Sequence, residues 1–163
     1  MPDDTPQHDV VGRVLEQRQR AATRQTPHGE EVEAPIHWPS LVPLAAQHEW
    51  PKLAEWVDAL RARYRGLDSY VVPACWFEHE SLVVALQALR DHERVAYAKS
   101  SPGSAGTDWH RALRDISAQL RQFTADLRCG HGAEYAEGEL FDKFMADDIA
   151  RRRRRAATVA LGE

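Results

Sequence analysis

Cys75 and Cys129 are the only thiols in the chain's 163 residues, and each has a histidine close by. The first half reads Cys75-x-x-x-His79 and the second Cys129-Gly-His131. Thiolate and imidazole are good zinc donors, and two of each around one point make a tetrahedral set. On a helix, Cys75 and His79 at i, i+4 share a face. Gly130 and Gly132 flank His131, so the second half lies in a turn free to wrap inward. Four protein ligands leave no open position, so such a zinc would be structural and not catalytic. Two other readings stand beside it. Cys75 would serve as a small buried hydrophobe while Cys129 ends a helix and both histidines are ordinary polar residues, or the two thiols would form a disulfide. There is no Cys-x-x-Cys pair, and 49 residues separate the halves, so spacing alone does not choose.

The second local signal is the run Arg151, Arg152, Arg153, Arg154, Arg155. Five consecutive helical residues cover every face, so the run is expected to be solvated and not packed. It reads as a charged helix end, or as a surface for an anionic partner such as nucleic acid, an acidic protein or a membrane surface. Asp147 and Asp148 stand just before it and partly neutralise it. Catalytic templates are missing: no phosphate loop, no dinucleotide glycine fingerprint, no His-Glu-x-x-His and no nucleophile elbow. Glu78 and Glu80 flank His79, but on a helix they point apart. The expectation is a non-enzymatic protein with no catalytic residue and no small-molecule substrate.

Positioning these residues falls to helices. Trp109, Leu113, Ile116, Leu120, Phe123 and Leu127 step 4, 3, 4, 3, 4, an apolar seam on a helix over Thr107–Arg128 with Thr107 as its N-cap. Leu82, Val83, Leu86, Leu89 and Tyr97 mark another helix, to about Lys99. Ser100 to Gly106 is a strong breaker, and a connection that short makes the two helices antiparallel neighbours of about 27 and 33 Å. The hairpin would bring Cys75 and His79 beside Cys129 and His131. An earlier helix is expected from Pro51, with Leu53, Trp56, Val57, Leu60 and Tyr64 as its stripe and Gly66 as its stop. Ala74–Glu80 reads as a short helical turn. Trp76 and Phe77, beside the Cys/His cluster, would shield it, and Trp56 and Trp109 are expected in the core. A last helix is expected over about Gly138–Thr158, with Leu140, Phe141, Phe144, Met145 and Ile149 as its apolar face. The prolines at 35, 39 and 43 favour an extended strap over Ala34–Pro43, with Ile36, Trp38, Leu41 and Leu44 laid on the core.

The fold class is therefore all-α: a small antiparallel helical bundle with a disordered N-terminal arm. Residues 1–34 form the arm, 35–133 the helical domain, and 134–163 a C-terminal helix with a basic end. The first 35 residues hold 7 acids against 4 arginines and few large apolar side chains, too little burial to offset ordering. At most a weak helix is expected there, around Val10–Arg24. Net charge is −4, so bulk charge does not advertise a polyanion partner. No apolar run nears the ~20 residues of a membrane span. Met1–Gln25 lacks an apolar signal core and two cysteines make no disulfide framework, so a reducing, cytoplasmic setting is expected.

The stretch from Trp56 to His131 resembles the actinobacterial domain of unknown function 4913 family. The residues that carry it are Trp56-Val57 with Leu60 and Tyr64, Pro73-Ala74-Cys75-Trp76-Phe77-Glu78-His79, then Leu82-Val83, Leu86, Leu89-Arg90, Trp109-His110 and the closing Cys129 and His131. Glu80 stands where the family pattern leads one to expect a proline, and Glu93 where it leads one to expect an aromatic. Arginine outnumbers lysine 18 to 3, a bias that fits a GC-rich bacterial genome. The resemblance implies a setting on plasmids, integrative conjugative elements or phages, and no activity. On this reading the chain is an accessory protein of a mobile genetic element, acting through contacts with an unknown protein partner and held by zinc. The alternative is a DNA-binding accessory protein using Arg151–Arg155.

Overall fold

A computed structural model describes residues 34–127 and 137–161. The arm expected over 1–34 lies almost wholly outside the described residues, as do Cys129 and His131. Among the described residues four helices make the architecture: α1 Pro43–Arg63, α2 Glu80–Ala96, α3 Ala105–Asp126 and α4 Glu137–Leu161. Two short 3₁₀ turns, Trp38–Ser40 and Trp76–Glu78, lie in the connections. No strand occurs among the described residues, and the fold is an all-α antiparallel bundle.

The α2–α3 hairpin forms as the seam dictates, and it is the most extensive helix–helix interface. Near the turn the His92 and Trp109 rings lie almost parallel, 6.3 Å apart. At the far end Thr124 Oγ1 donates to the Val71 carbonyl at 3.1 Å, tying the last turns of α3 to the segment that leads to Cys75. Trp109, Leu113 and Leu120 are buried, and Ile116, Phe123 and Leu127 pack on them half-buried. The Trp109 indole N–H and His92 Nε2 are buried without hydrogen-bond partners. An unmade bond of this kind costs about 1–3 kcal/mol, which burial of the rest of the Trp109 ring system offsets.

Helix α4 runs antiparallel to α1. Arg152 reaches the Leu41 carbonyl, Asp148 meets Trp50, and Phe141 lies with Ala54 and Asp58. The apolar face expected for α4 is the one that packs: Ile149 is buried, and Leu140, Phe141, Phe144 and Met145 are half-buried against the core. Six aromatic rings meet where α4, α1, the 3₁₀ turn and the strap converge. Trp38 and Trp50 lie 4.2 Å apart, Trp50 and Phe144 5.2 Å, Trp50 and Trp76 6.4 Å, and Phe77 sits 5.3 Å from Phe141 and 5.1 Å from Phe144. Tilted and edge-on pairs such as these add about 0.5–1.5 kcal/mol each beyond burial.

Several boundaries differ from the sequence expectation, each for a local reason. Helix α1 begins at Pro43 and not at Pro51. Pro43 supplies the fixed φ of a first-turn residue, and Ala46 makes the first helical bond, to the Val42 carbonyl at 3.0 Å. Pro51 therefore sits inside the helix, where it has no N–H to give the Gln47 carbonyl. Burial of Ala46, Trp50 and Leu53 around it carries the helix through. The strap is shorter than expected and contains the turn Trp38–Ser40; Trp38 is buried, whereas Leu44 is exposed on α1. Helix α3 starts at Ala105, so Thr107 lies in the first turn and is not the N-cap; its N–H bonds the Ser104 carbonyl at 2.9 Å. Helix α2 ends at Ala96, which leaves Tyr97 exposed and off the core stripe.

Pro51→Ala restores the missing N–H inside α1. The expected gain is about 1–2 kcal/mol, the ~3 kcal/mol helix-interior penalty of proline less its rigidity in the unfolded chain. Urea denaturation of the variant checks it; a loss of stability would show that the proline sets a bend the core needs.

Candidate functional site

The first candidate cluster is built around the 3₁₀ turn Trp76–Glu78. Cys75 precedes the turn and His79 follows it in extended backbone, φ −114° and ψ 106°, before α2 begins at Glu80. The expected shared α-helical face is thus not what brings the two together. The tight turn does so, closed by Glu78 N–H to the Cys75 carbonyl at 3.0 Å and His79 N–H to the Trp76 carbonyl at 3.2 Å. Trp76 and Phe77 are buried in the aromatic cluster, which fixes the turn and leaves the two flanking side chains half-buried. Cys75 Sγ and His79 Nε2 stand 3.6 Å apart. That is the length of a thiol–imidazole hydrogen bond. It is also the edge of a zinc tetrahedron: bonds of about 2.3 Å to sulfur and 2.05 Å to nitrogen at a tetrahedral angle put the two donors about 3.6 Å apart. Among the described residues no group of three or more His, Cys, Asp or Glu is placed to hold a metal ion, and the other two expected ligands, Cys129 and His131, lie outside them.

The arginine run is not uniformly solvated. Arg152 turns inward, its side chain only 14% exposed. Its Nε donates to Asp148 Oδ2 at 2.7 Å, and its Nη1 donates to the carbonyls of Trp38 and Leu41, both at 2.9 Å. Asp148, itself buried, also accepts from the Trp50 indole at 2.9 Å and from Arg151 Nη2 at 3.3 Å. Burial works to raise the Asp148 carboxyl, but the hydrogen bonds from Arg152 and Trp50, the Arg152 charge and the Arg151 bond outweigh it and hold the group below the usual aspartate value. Arg151 lies over the Phe144 ring, 5.6 Å from its centre. Arg153, Arg154 and Arg155 are exposed. The expectation of five solvated arginines fails at Arg152 because a buried carboxylate one turn earlier and two carbonyls on the strap take the place of much of its water shell. The sequence did carry a signal: the stripe Phe141, Met145, Asp148, Arg152 steps 4, 3, 4, so both charges fall on the packed face.

The strap is gripped on its other side by a second polar chain. Trp38 Nε1 donates to Gln87 Oε1 at 3.3 Å, Gln87 Nε2 to Asp91 Oδ1 at 3.0 Å, and the Ile36 N–H to Asp91 Oδ2 at 3.4 Å. Glu93 ties α1 to α2 by accepting from the Trp56 indole at 2.6 Å and from Arg63 at 2.9 Å.

Between α4 and the start of α2 lies a cleft of about 500 Å³. Glu78 and Glu80 line it from the 3₁₀ turn and the start of α2, Asp148, Arg151, Arg152 and Arg155 line it from α4, and Trp38 and Phe144 complete the lining. Glu78, Glu80 and Arg155 are exposed, and none of them makes an ion pair with a described residue.

The lowered Asp148 carboxyl sets a pH dependence. A group held below its unfolded value contributes stability that is present above that value and is lost as pH falls through the folded one. Asp148→Asn should therefore cost about 3 kcal/mol near neutral pH, where Arg152 is left buried and unpaired, and the gap to the parent should close below about pH 4. Denaturant titrations across that range measure both; equal stability at neutral pH would refute the clamp.

Compared with known proteins, the chain matches no family model, and no curated protein or solved structure matches it significantly.

Proposed function

We propose that this chain is a non-enzymatic accessory protein that works through protein–protein contacts, its helical domain stapled by a structural zinc on Cys75, His79, Cys129 and His131. The observation that carries the reading is the 3.6 Å separation of Cys75 Sγ and His79 Nε2, on a turn held rigid by two buried aromatics. A four-ligand site of this kind is scaffold, because it has no open coordination position. Chain connectivity is consistent with the second half: Thr124, five residues before Cys129 in the sequence, is bonded to Val71, four residues before Cys75. Further support comes from the buried polar side chains Gln87, Asp91, Thr124 and Asp148, each of which is engaged in holding one element to another. The outward face of α2 offers Val84 and Val95, eleven residues apart and so on one side of the helix, with Tyr97 just beyond; all three are exposed. No described helix is long and apolar enough to cross a membrane. The cytoplasm, and a plasmid, conjugative element or phage of an actinobacterium, are the setting that the resemblance suggests.

A second reading, contact with DNA, is favoured by one observation. Arg151, Arg154 and Arg155 line a single shallow groove with Thr158 and Val159 along the end of α4. Loss of a low-salt DNA shift on Arg154→Ala with Arg155→Ala would support it, and no shift at low salt would end it.

Metal analysis tests the first reading. Protein purified without chelator should carry about one zinc per chain, and Cys75→Ser should lose it and melt at lower temperature. His79→Ala, which leaves both thiols in place, should lose the metal too. A metal-free native preparation whose melting is unchanged by EDTA would overturn the proposal.

A further inference from the structure

The end of α4 is poorly supported by the rest of the described fold. Residues 153–160 are all exposed, about two helical turns standing clear of the core. They include Ala156, Ala157, Val159 and Ala160, with Val159 70% exposed. A helical end of this length gains little from propensity alone and is ordinarily secured by packing. Beside it lies the cleft lined by Glu78, Glu80 and Arg155. Opposite charges share one cleft, yet none of the three is paired with a described residue.

We propose that this face is a homodimer interface, in which the projecting end of α4 lies across Glu78 and Glu80 of a second copy. The proposal rests on the protein-contact reading and names the partner. A surface that carries the unpaired Glu78 and Glu80 next to the unpaired Arg155 is complementary to itself about a two-fold axis. Arg155 of one copy meets Glu80 of the other, and the same pair forms again across the axis. The apolar turn Ala156–Ala160 is covered at the same time, which explains why it can remain helical. A second copy fits better than a polyanion. Phosphates approaching Arg155 would face Glu78 and Glu80, and the chain as a whole carries net charge −4.

The test is sedimentation of the full chain over micromolar concentrations at low and high salt, with two charge reversals placed outside the core. The parent should form a dimer that weakens with salt. Glu80→Arg and Arg155→Glu should each weaken association at least about tenfold, since each sets like charges together twice per dimer. An equimolar mixture of the two variants should recover association, because only the mixed pair has both contacts of opposite sign. Circular dichroism of each variant separates loss of pairing from loss of folding. A parent that stays monomeric throughout overturns the proposal while leaving contact with a different protein standing. A dimer indifferent to both reversals, or a monomer whose Arg155 is needed to shift a DNA duplex, overturns it as well.

Discussion

One buried carboxylate joins α4, α1 and the strap. Asp148 sits on α4, accepts the Trp50 indole N–H from α1, and holds Arg152, which in turn holds the strap by two carbonyls. Removing the carboxylate would leave a largely buried guanidinium without its counter-charge, and breaking such a pair is costly for a small domain. The aromatic cluster depends on the same atoms. Trp50 touches Trp38, Trp76 and Phe144, and its ring is oriented by the bond its nitrogen makes. Apolar burial supplies the driving force for docking α4, and the clamp selects one register for it.

The strap repeats this logic on its other edge. Trp38 engages Gln87, Gln87 engages Asp91, and Asp91 takes the Ile36 N–H. Few of these bonds add much net stability, because each replaces a bond to water. Their effect is directional: a chain segment with three prolines has little regular structure of its own, and side chains from α2 and α4 specify where it lies. The Trp76–Glu78 turn is placed in the same way, with two aromatics anchoring a bend that sets Cys75 against His79.

The α2–α3 hairpin was legible because its seam repeats over six positions and the breaker at Pro102 is short. The apolar face of α4 was legible for the same reason. Arg152 and Asp148 were not, because charge runs are normally solvated; only continuation of the 4, 3, 4 stripe past Met145 places them inside, and that stripe is weighed against two charged residues. Pro51 misled because proline marks helix starts, and here a second proline, Pro43, marks the true one. Cys75 and His79 were expected to meet and do, by way of a 3₁₀ turn that a spacing of four residues does not distinguish from an α-helix. Leu44 and Tyr97 lie at helix ends: the early start of α1 takes Leu44 off the strap and turns it to solvent, and the early end of α2 leaves Tyr97 off the core stripe.

Arg152 grips the strap by peptide oxygens and not by side chains. Such a grip is indifferent to which amino acid supplies the oxygen. The side chains of Pro39 and Ser40, which lie between the two contacts and are exposed, take no part in that grip, so substitution there would spare it as long as the geometry of the backbone between the contacts is kept. Relatives of this chain would then keep an arginine in α4 and a bulky aromatic in place of Trp38, with little else alike along the loop they secure.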